Sequence, residues 1–142
     1  MIEKDIDIAR DALKGHVRCA RCRDGVLTVS EKRGIGPMIA WLEQDGECLR
    51  GASVADKIVG RASAMLMVYG GVAEVYTNVV SVRALDLLKE HGIRCTYVNV
   101  CDAVANRRGD GICPMERAVA PVKDPAEAFR VLKDKLQELY PQ

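Results

Sequence analysis

At 142 residues the chain has room for one domain with a proper hydrophobic core and little else, so residues 1–142 are expected to form a single unit. Twenty-one Lys and Arg stand against 20 Asp and Glu, and this balance removes any general electrostatic reason to bind nucleic acid. The absence of a long apolar run or a signal-peptide core, with six cysteines in the chain, points to a cytoplasmic protein with free thiols and no membrane partner.

In chain order, Ile6, Ala9 and Leu13, with Ile2, form the apolar face of an opening helix that Gly15 ends. His16 to Cys22 and Val26 to Ser30 read as two strands, and Arg23-Asp24-Gly25 between them is a hairpin signal. Gly34 to Pro37 makes a turn, where Lys32 and Arg33 could meet a phosphate or simply be solvated. Met38, Ile39, Trp41 and Leu42 then suggest a short helix. The spacing of Ala55, Ile58, Val59, Ala62, Met65, Leu66 and Tyr69 predicts one long helix from about Ser53 to Gly70. Ala73 to Val80 reads as a buried strand. Ser81 to Glu90 reads as a helix burying Val82, Leu85 and Leu88, and Arg94 to Val100 as a second central strand. Asp124-Pro125-Ala126-Glu127 opens a last helix with Phe129, Leu132, Leu136 and Leu139 inside.

Asn106 to Glu116 carries the densest chemistry. Pro114 suits the first position of a helix, because its ring presets the helical φ and its missing N–H needs no partner there. Cys113 then caps that helix and Glu116 is its third residue. A thiol at a helix N-terminus feels the positive end of the dipole, and Arg107 and Arg108 lie just upstream. Both effects favour thiolate. A small buried cysteine at an ordinary turn is the plainer alternative. Asp56 and Lys57 are a second candidate pair. Ser53-Val54-Ala55-Asp56 also fits a capping box, which would make Asp56 structural, whereas Lys57 in a first helical turn would oppose the dipole. Cys19-Ala20-Arg21-Cys22 has a metal-like spacing but stands alone, and in a strand its two thiols would point to opposite faces. Cys95 and Cys101 read as small core residues.

Ala55-Asp56-Lys57 with Gly60 and Ala62, the strand around Tyr76, and Asn106-Arg107 through Gly111 to Cys113-Pro114-Met115-Glu116 together resemble the cytidine deaminase-like fold. More closely, they resemble a small uncharacterised prokaryotic family with that fold and without its zinc motif. The resemblance implies a three-layer α/β/α domain with a mixed central sheet, helices on both faces, and one pocket at helix N-termini. In working deaminases of this fold a hairpin leads to a helix bearing a His or Cys two residues before a catalytic Glu. The next strand leads to a helix opened by Pro-Cys-x-x-Cys, and the set holds zinc. Here Ser53 to Lys57 offers no His-x-Glu and Asn78 to Arg83 offers no cysteine, so neither a metal site nor a cofactor is expected.

The expected function is recognition of a small, anionic, nucleotide-like ligand. Asp56 and Lys57 would form one wall, with Asn106, Arg107, Gly109, Gly111, Cys113 and Glu116 on the other. If the domain is an enzyme, Cys113 is the nucleophile, Glu116 or Asp56 the proton carrier and Lys57 the charge stabiliser. The alternatives are a non-catalytic sensor or interaction protein that keeps the pocket, and a divergent metal-dependent deaminase. Related folds self-associate, so a homo-oligomer is compatible with the resemblance.

Overall fold

The fold is taken from a computed structural model that describes residues 4–141. Helix α1 (Asp5–Asp11) precedes a hairpin of β1 (Cys19–Arg23) and β2 (Val26–Ser30). Asp24 and Gly25 join the strands with φ of 53° and 80°, the pair of positive values that a two-residue type I′ turn requires. Helix α2 (Gly36–Gln44) starts with proline in its first turn. Then come β3 (Ser53–Val59), α3 (Arg61–Gly70), β4 (Glu74–Ser81), α4 (Val82–Glu90), β5 (Arg94–Cys101), α5 (Pro114–Val119) and α6 (Pro125–Leu139). Ile2, assigned above to the opening apolar face, lies outside the described residues.

The five strands form one mixed sheet in the order β2-β1-β3-β4-β5. β1 is antiparallel to both its neighbours, while β3, β4 and β5 run parallel. Side-chain alternation along β1 and β3 sends Ala20, Cys22 and Ala55 to the face covered by α1, where they meet Ala9. Cys19 and Val54 face the opposite way, into the main core with Met38, Met65, Leu66, Leu88 and Leu132 from α2, α3, α4 and α6. Cys19 and Cys22 therefore sit on opposite faces. Tyr69 and Phe129 stack with ring centroids 5.1 Å apart, tying α3 to α6. No helix among the described residues is long and apolar enough to cross a membrane.

Three expectations fail here. The long helix from Ser53 is instead a strand, the Gly60 junction and a shorter helix. Ser53 pairs with Cys22 and Glu74 in the sheet, so the capping box does not exist. The strand residues Ala55, Ile58 and Val59 happen to continue the helical spacing of Ala62, Met65 and Leu66 in the helix that follows, so the two read as one period. Gly60, extended at φ −102° and ψ −176°, separates the two. β5 is an edge strand, not a central one, and most of its residues are exposed. Val82 and Leu139, expected inside, are 43% and 39% exposed, because α4 and α6 turn other residues inward.

Candidate functional site

Strand β3 ends, and α2, α3 and α5 begin, around one cavity of about 570 Å³. Ligands in open α/β sheets collect in such crevices, where helix N-termini converge. Asp56 and Lys57 line it from β3, Gly60, Ala62 and Ser63 from the start of α3, and Arg33, Gly34 and Ile35 from the approach to α2. The opposite side is built by Asn106, Arg107 and Arg108 from the loop after β5, Cys113 and Glu116 from α5, and Leu136, Leu139 and Tyr140 from the end of α6. Arg18 completes a rim of five cationic side chains with Arg33, Lys57, Arg107 and Arg108.

Asp56 is the most perturbed group in this cavity. It is 6% exposed, and its Oδ1 accepts the Lys57 N–H at 2.8 Å. Its Oδ2 is buried and has no hydrogen-bond partner among the described residues. Burial pushes its pKa up to about 8 against the opposing pull of the Lys57 and Ile58 N–H groups and the Cys19 thiol. The carboxyl is thus mainly protonated at neutral pH and can donate as well as accept. Cys19, its neighbour across the β1–β3 ladder, is raised well above an ordinary thiol, first by burial and next by the charge of Asp56. The Lys57 ammonium donates to the Gly15 carbonyl at 3.4 Å.

Glu116 reaches out of its own short helix to the N-terminus of α3, where its two oxygens accept the Ala62 N–H at 3.2 and 3.4 Å. α3 has no side-chain cap of its own at Gly60, so Glu116 supplies one from across the cavity. The carboxyl fits because residue 60 is glycine. A Cβ there would overlap Glu116 Oε1 and lie 2.7 Å from Val104 Cγ2. Burial raises the Glu116 pKa, opposed by the Ala62 N–H and the Arg61 charge. Arg61 donates to the Val119 carbonyl and, at 2.6 Å, to that of Val122, which fixes the far end of α5 to the start of α3.

The loop after β5 is organised by its own polar groups. The Asn106 amide donates to Asp110 Oδ1 at 2.9 Å and its Oδ1 accepts the Asp110 N–H at 3.2 Å. Gly109, at φ 76°, makes the turn, and the Asn106 N–H donates to the Gly111 carbonyl at 2.8 Å. Gly109 and Gly111 therefore shape the loop and stand outside the cavity lining. The Arg107 guanidinium lies 4.8 Å from the centre of the Tyr140 ring, and both groups line the cavity. Arg108 is mostly exposed, with its Nε 3.9 Å from Asp110 Oδ2.

Cys113 is half-buried at the cavity wall and caps α5 without a side-chain hydrogen bond. Cys19, Cys22 and Cys48 are buried, whereas Cys95 and Cys101 are half-buried. Burial pushes the Cys95 thiol up to about 11 and also raises Cys101. Among the described residues, no three His, Cys, Asp or Glu side chains gather closely enough to hold a metal ion.

The sequence-selected residues Asp56, Lys57, Asn106, Arg107, Cys113 and Glu116 thus share one cavity. The surface they share differs from the expected one, since Asp56 and Lys57 come from a strand, and the helix start facing Cys113 and Glu116 is that of α3. Sequence reasoning passed over Arg18, Gly60, Ser63 and Tyr140 as wall residues. Arg33 and Gly34 were legible as a turn that could meet a phosphate, but not as part of the same wall as Asp56 and Cys113. The available signal was Arg33-Gly34-Ile35-Gly36-Pro37, a cation and two glycines before an N-terminal proline.

Residues 9–136 match the family described as "TM1506: Domain of unknown function (DUF1893)", and the chain belongs to that family. A crystal structure of a DUF1893 family protein (TM1506) from Thermotoga maritima is similar at 25% sequence identity. That match has a TM-score of 0.82 and covers 95% of this chain and 92% of the other. No curated protein matches the chain.

Proposed function

We propose that this chain is a zinc-less domain of the cytidine deaminase-like, three-layer α/β/α type, and that its cavity binds a small, anionic, nucleotide-like ligand. The element order supports the fold reading. A hairpin leads into α2, and the next strand, β3, leads into α3, which is the succession the resemblance implies. On that succession the two metal-bearing positions fall at Gly34-Ile35-Gly36 before α2 and at Gly60-Arg61-Ala62-Ser63 opening α3. The sequence alone had suggested Ser53 and Asn78. Residues from both segments line the cavity, but neither segment offers a His or Cys. Gly, Ile, Ala, Arg and a lone Ser do not make a zinc ligand set, so no step here runs through a metal.

The observation that carries the ligand reading is Asp56, a wall residue of a cavity rimmed by Arg18, Arg33, Lys57, Arg107 and Arg108, whose buried Oδ2 has no hydrogen-bond partner among the described residues. A buried polar atom without a partner costs stability, and a ligand that completes its hydrogen bonding recovers that cost. A neutral carboxyl offers a donor and an acceptor side by side, which suits the polar edge of a nucleobase. The arginines suit phosphate. A second reading, with Cys113 as a nucleophile, rests on its position as the cysteine lining this cavity.

The test is thermal unfolding and calorimetry with a panel of nucleoside monophosphates, the matching nucleosides and inorganic phosphate. At least one monophosphate should raise the Tm and bind more tightly than its nucleoside, and the effect should be lost in Arg33→Glu/Arg107→Glu. No shift at millimolar ligand, or a shift that survives both substitutions, would count against the reading.

A further inference from the structure

The surface of β5 is unusual for a sheet edge. Natural edges discourage pairing with other chains by lysines, prolines, bulges or short length. β5 runs for eight residues, pairs with β4 from Glu74↔Arg94 to Ser81↔Cys101, and carries a single charge, Arg94, at its start. Tyr97, Val98 and Val100 are 40%, 63% and 47% exposed. The other edge, β2, is only five residues long and is followed by Glu31, Lys32 and Arg33.

We propose that β5 is a self-association strand, along which a second copy of this chain adds its own β5 antiparallel to form one continuous sheet of both molecules. Directly opposed residues in an antiparallel pair share a face. A two-fold axis normal to the sheet also preserves faces, so the symmetric pairing must set one residue opposite its own equivalent. Three such registers are near the middle of β5, centred on Tyr97, Val98 or Asn99. Centring on Tyr97 sets Arg94 against Val100 of the second copy, and centring on Asn99 sets it against Val104. Centring on Val98 alone sets Arg94 against Asp102, the exposed acid immediately after the strand.

That register also sets Thr96 against Val100 and Val98 against itself, pairings that suit strand packing. It opposes no like charges. Among the described residues neither Arg94 nor Asp102 forms an ion pair within its own chain, so both charges are available at each end of the joint strand. Charge complementarity therefore selects both the partner and the register, since a second copy is what presents the matching strand.

The experiment is sedimentation equilibrium of the full chain up to about 100 μM, where a dimer of micromolar affinity is fully formed. The wild type should be a dimer. Arg94→Glu and Asp102→Arg should each weaken it about tenfold or more, because each places like charges opposite one another. The double charge exchange should restore the wild-type affinity. Val98→Cys should form a disulfide between copies under mild oxidation, located by peptide mass, because directly opposed Cα atoms lie within disulfide reach. All three positions are exposed, so unchanged circular dichroism and Tm of the separated monomers are expected. A monomer throughout the range would overturn the proposal. So would a dimer indifferent to Arg94→Glu, or a double exchange no better than the single ones.

Discussion

Replacing Asp56 by Asn tests whether the fold holds this carboxyl neutral. In the folded chain its pKa is about 8, whereas an unfolded aspartate titrates near 3.9. Between those values the folded state keeps a proton that the unfolded state has released, so raising the pH favours unfolding. The contribution is fully present below about pH 4, falls by about 1.4 kcal/mol per unit, and is lost once the folded pKa is passed. Across the whole window the loss is on the order of 5 kcal/mol. Asparagine keeps the shape and the acceptor for the Lys57 N–H but cannot ionise. Any packing offset it introduces is independent of pH. Glu116, also raised by burial, makes both proteins less stable with rising pH, and its effect cancels in their difference. Urea unfolding of both proteins from pH 5 to 8 should therefore show the stability of Asp56→Asn gaining steadily on the wild type. A difference that stays flat, or that moves in favour of the wild type as pH rises, would refute the buried neutral carboxyl.

Gly60→Ala should destabilise the fold by about 2 kcal/mol through overpacking, and Glu116→Ala in the same chain should relieve part of that, since the added methyl meets Glu116 first. Additive losses in denaturant titrations would contradict this. Glu116→Ala alone should cost about 1 kcal/mol by uncapping α3, with faster hydrogen exchange at Ala62 as its local signature. Limiting iodoacetamide near neutral pH should modify Cys113 first, because Cys19, Cys22 and Cys48 are buried and Cys95 and Cys101 are raised by burial. Peptide mass mapping that finds another cysteine labelled first would remove the nucleophile reading. Asp5→Asn should weaken the hairpin attachment at neutral pH. The Asp5 carboxylate accepts the Gly25 and Asp24 N–H groups, bonds that hold its pKa down, so the deficit should shrink in acid as the wild-type group protonates.

How much of this was legible in the residues differs by element. Turn chemistry was fully local: Asp24-Gly25 fixed the hairpin, and Cys113-Pro114 and Asp124-Pro125 fixed the starts of α5 and α6. The boundary between β3 and α3 was not local. Whether Ser53 to Val59 extends or coils depends on strands β1 and β4 being present to take its backbone hydrogen bonds, and periodicity carries no information about that. The exposure of β5 was hidden for the same reason, since Val98 and Val100 read as core residues until the sheet order places them at an edge. The loop from Asn106 to Cys113 was recognised by its composition, yet Gly109 and Gly111 could be assigned to its shape only once Asn106 was seen bonded to Asp110 and Gly111.

The misplaced strand also changes the electrostatics of the cavity. On a first helical turn Asp56 would have met free N–H groups and an aligned dipole, both of which favour the ionised form. Inside β3 its Oδ2 receives no such bond among the described residues, and burial decides the outcome in favour of the proton. Glu116 gives α3, from across the cavity, the kind of N-terminal cap that Asp56 was expected to give at Ser53. With Asp56 neutral and Glu116 engaged at α3, the cations at the rim face no free carboxylate within the wall. Of these, Arg107 is stacked on Tyr140, Arg108 lies beside Asp110 and Lys57 is turned to Gly15, which leaves Arg18 and Arg33 as the rim arginines whose side chains have no partner among the described residues. The neutral acid and the cationic rim thus reinforce each other. An ionised Asp56 would compete with an anionic ligand for the arginines, whereas the protonated one leaves them available and adds a donor of its own.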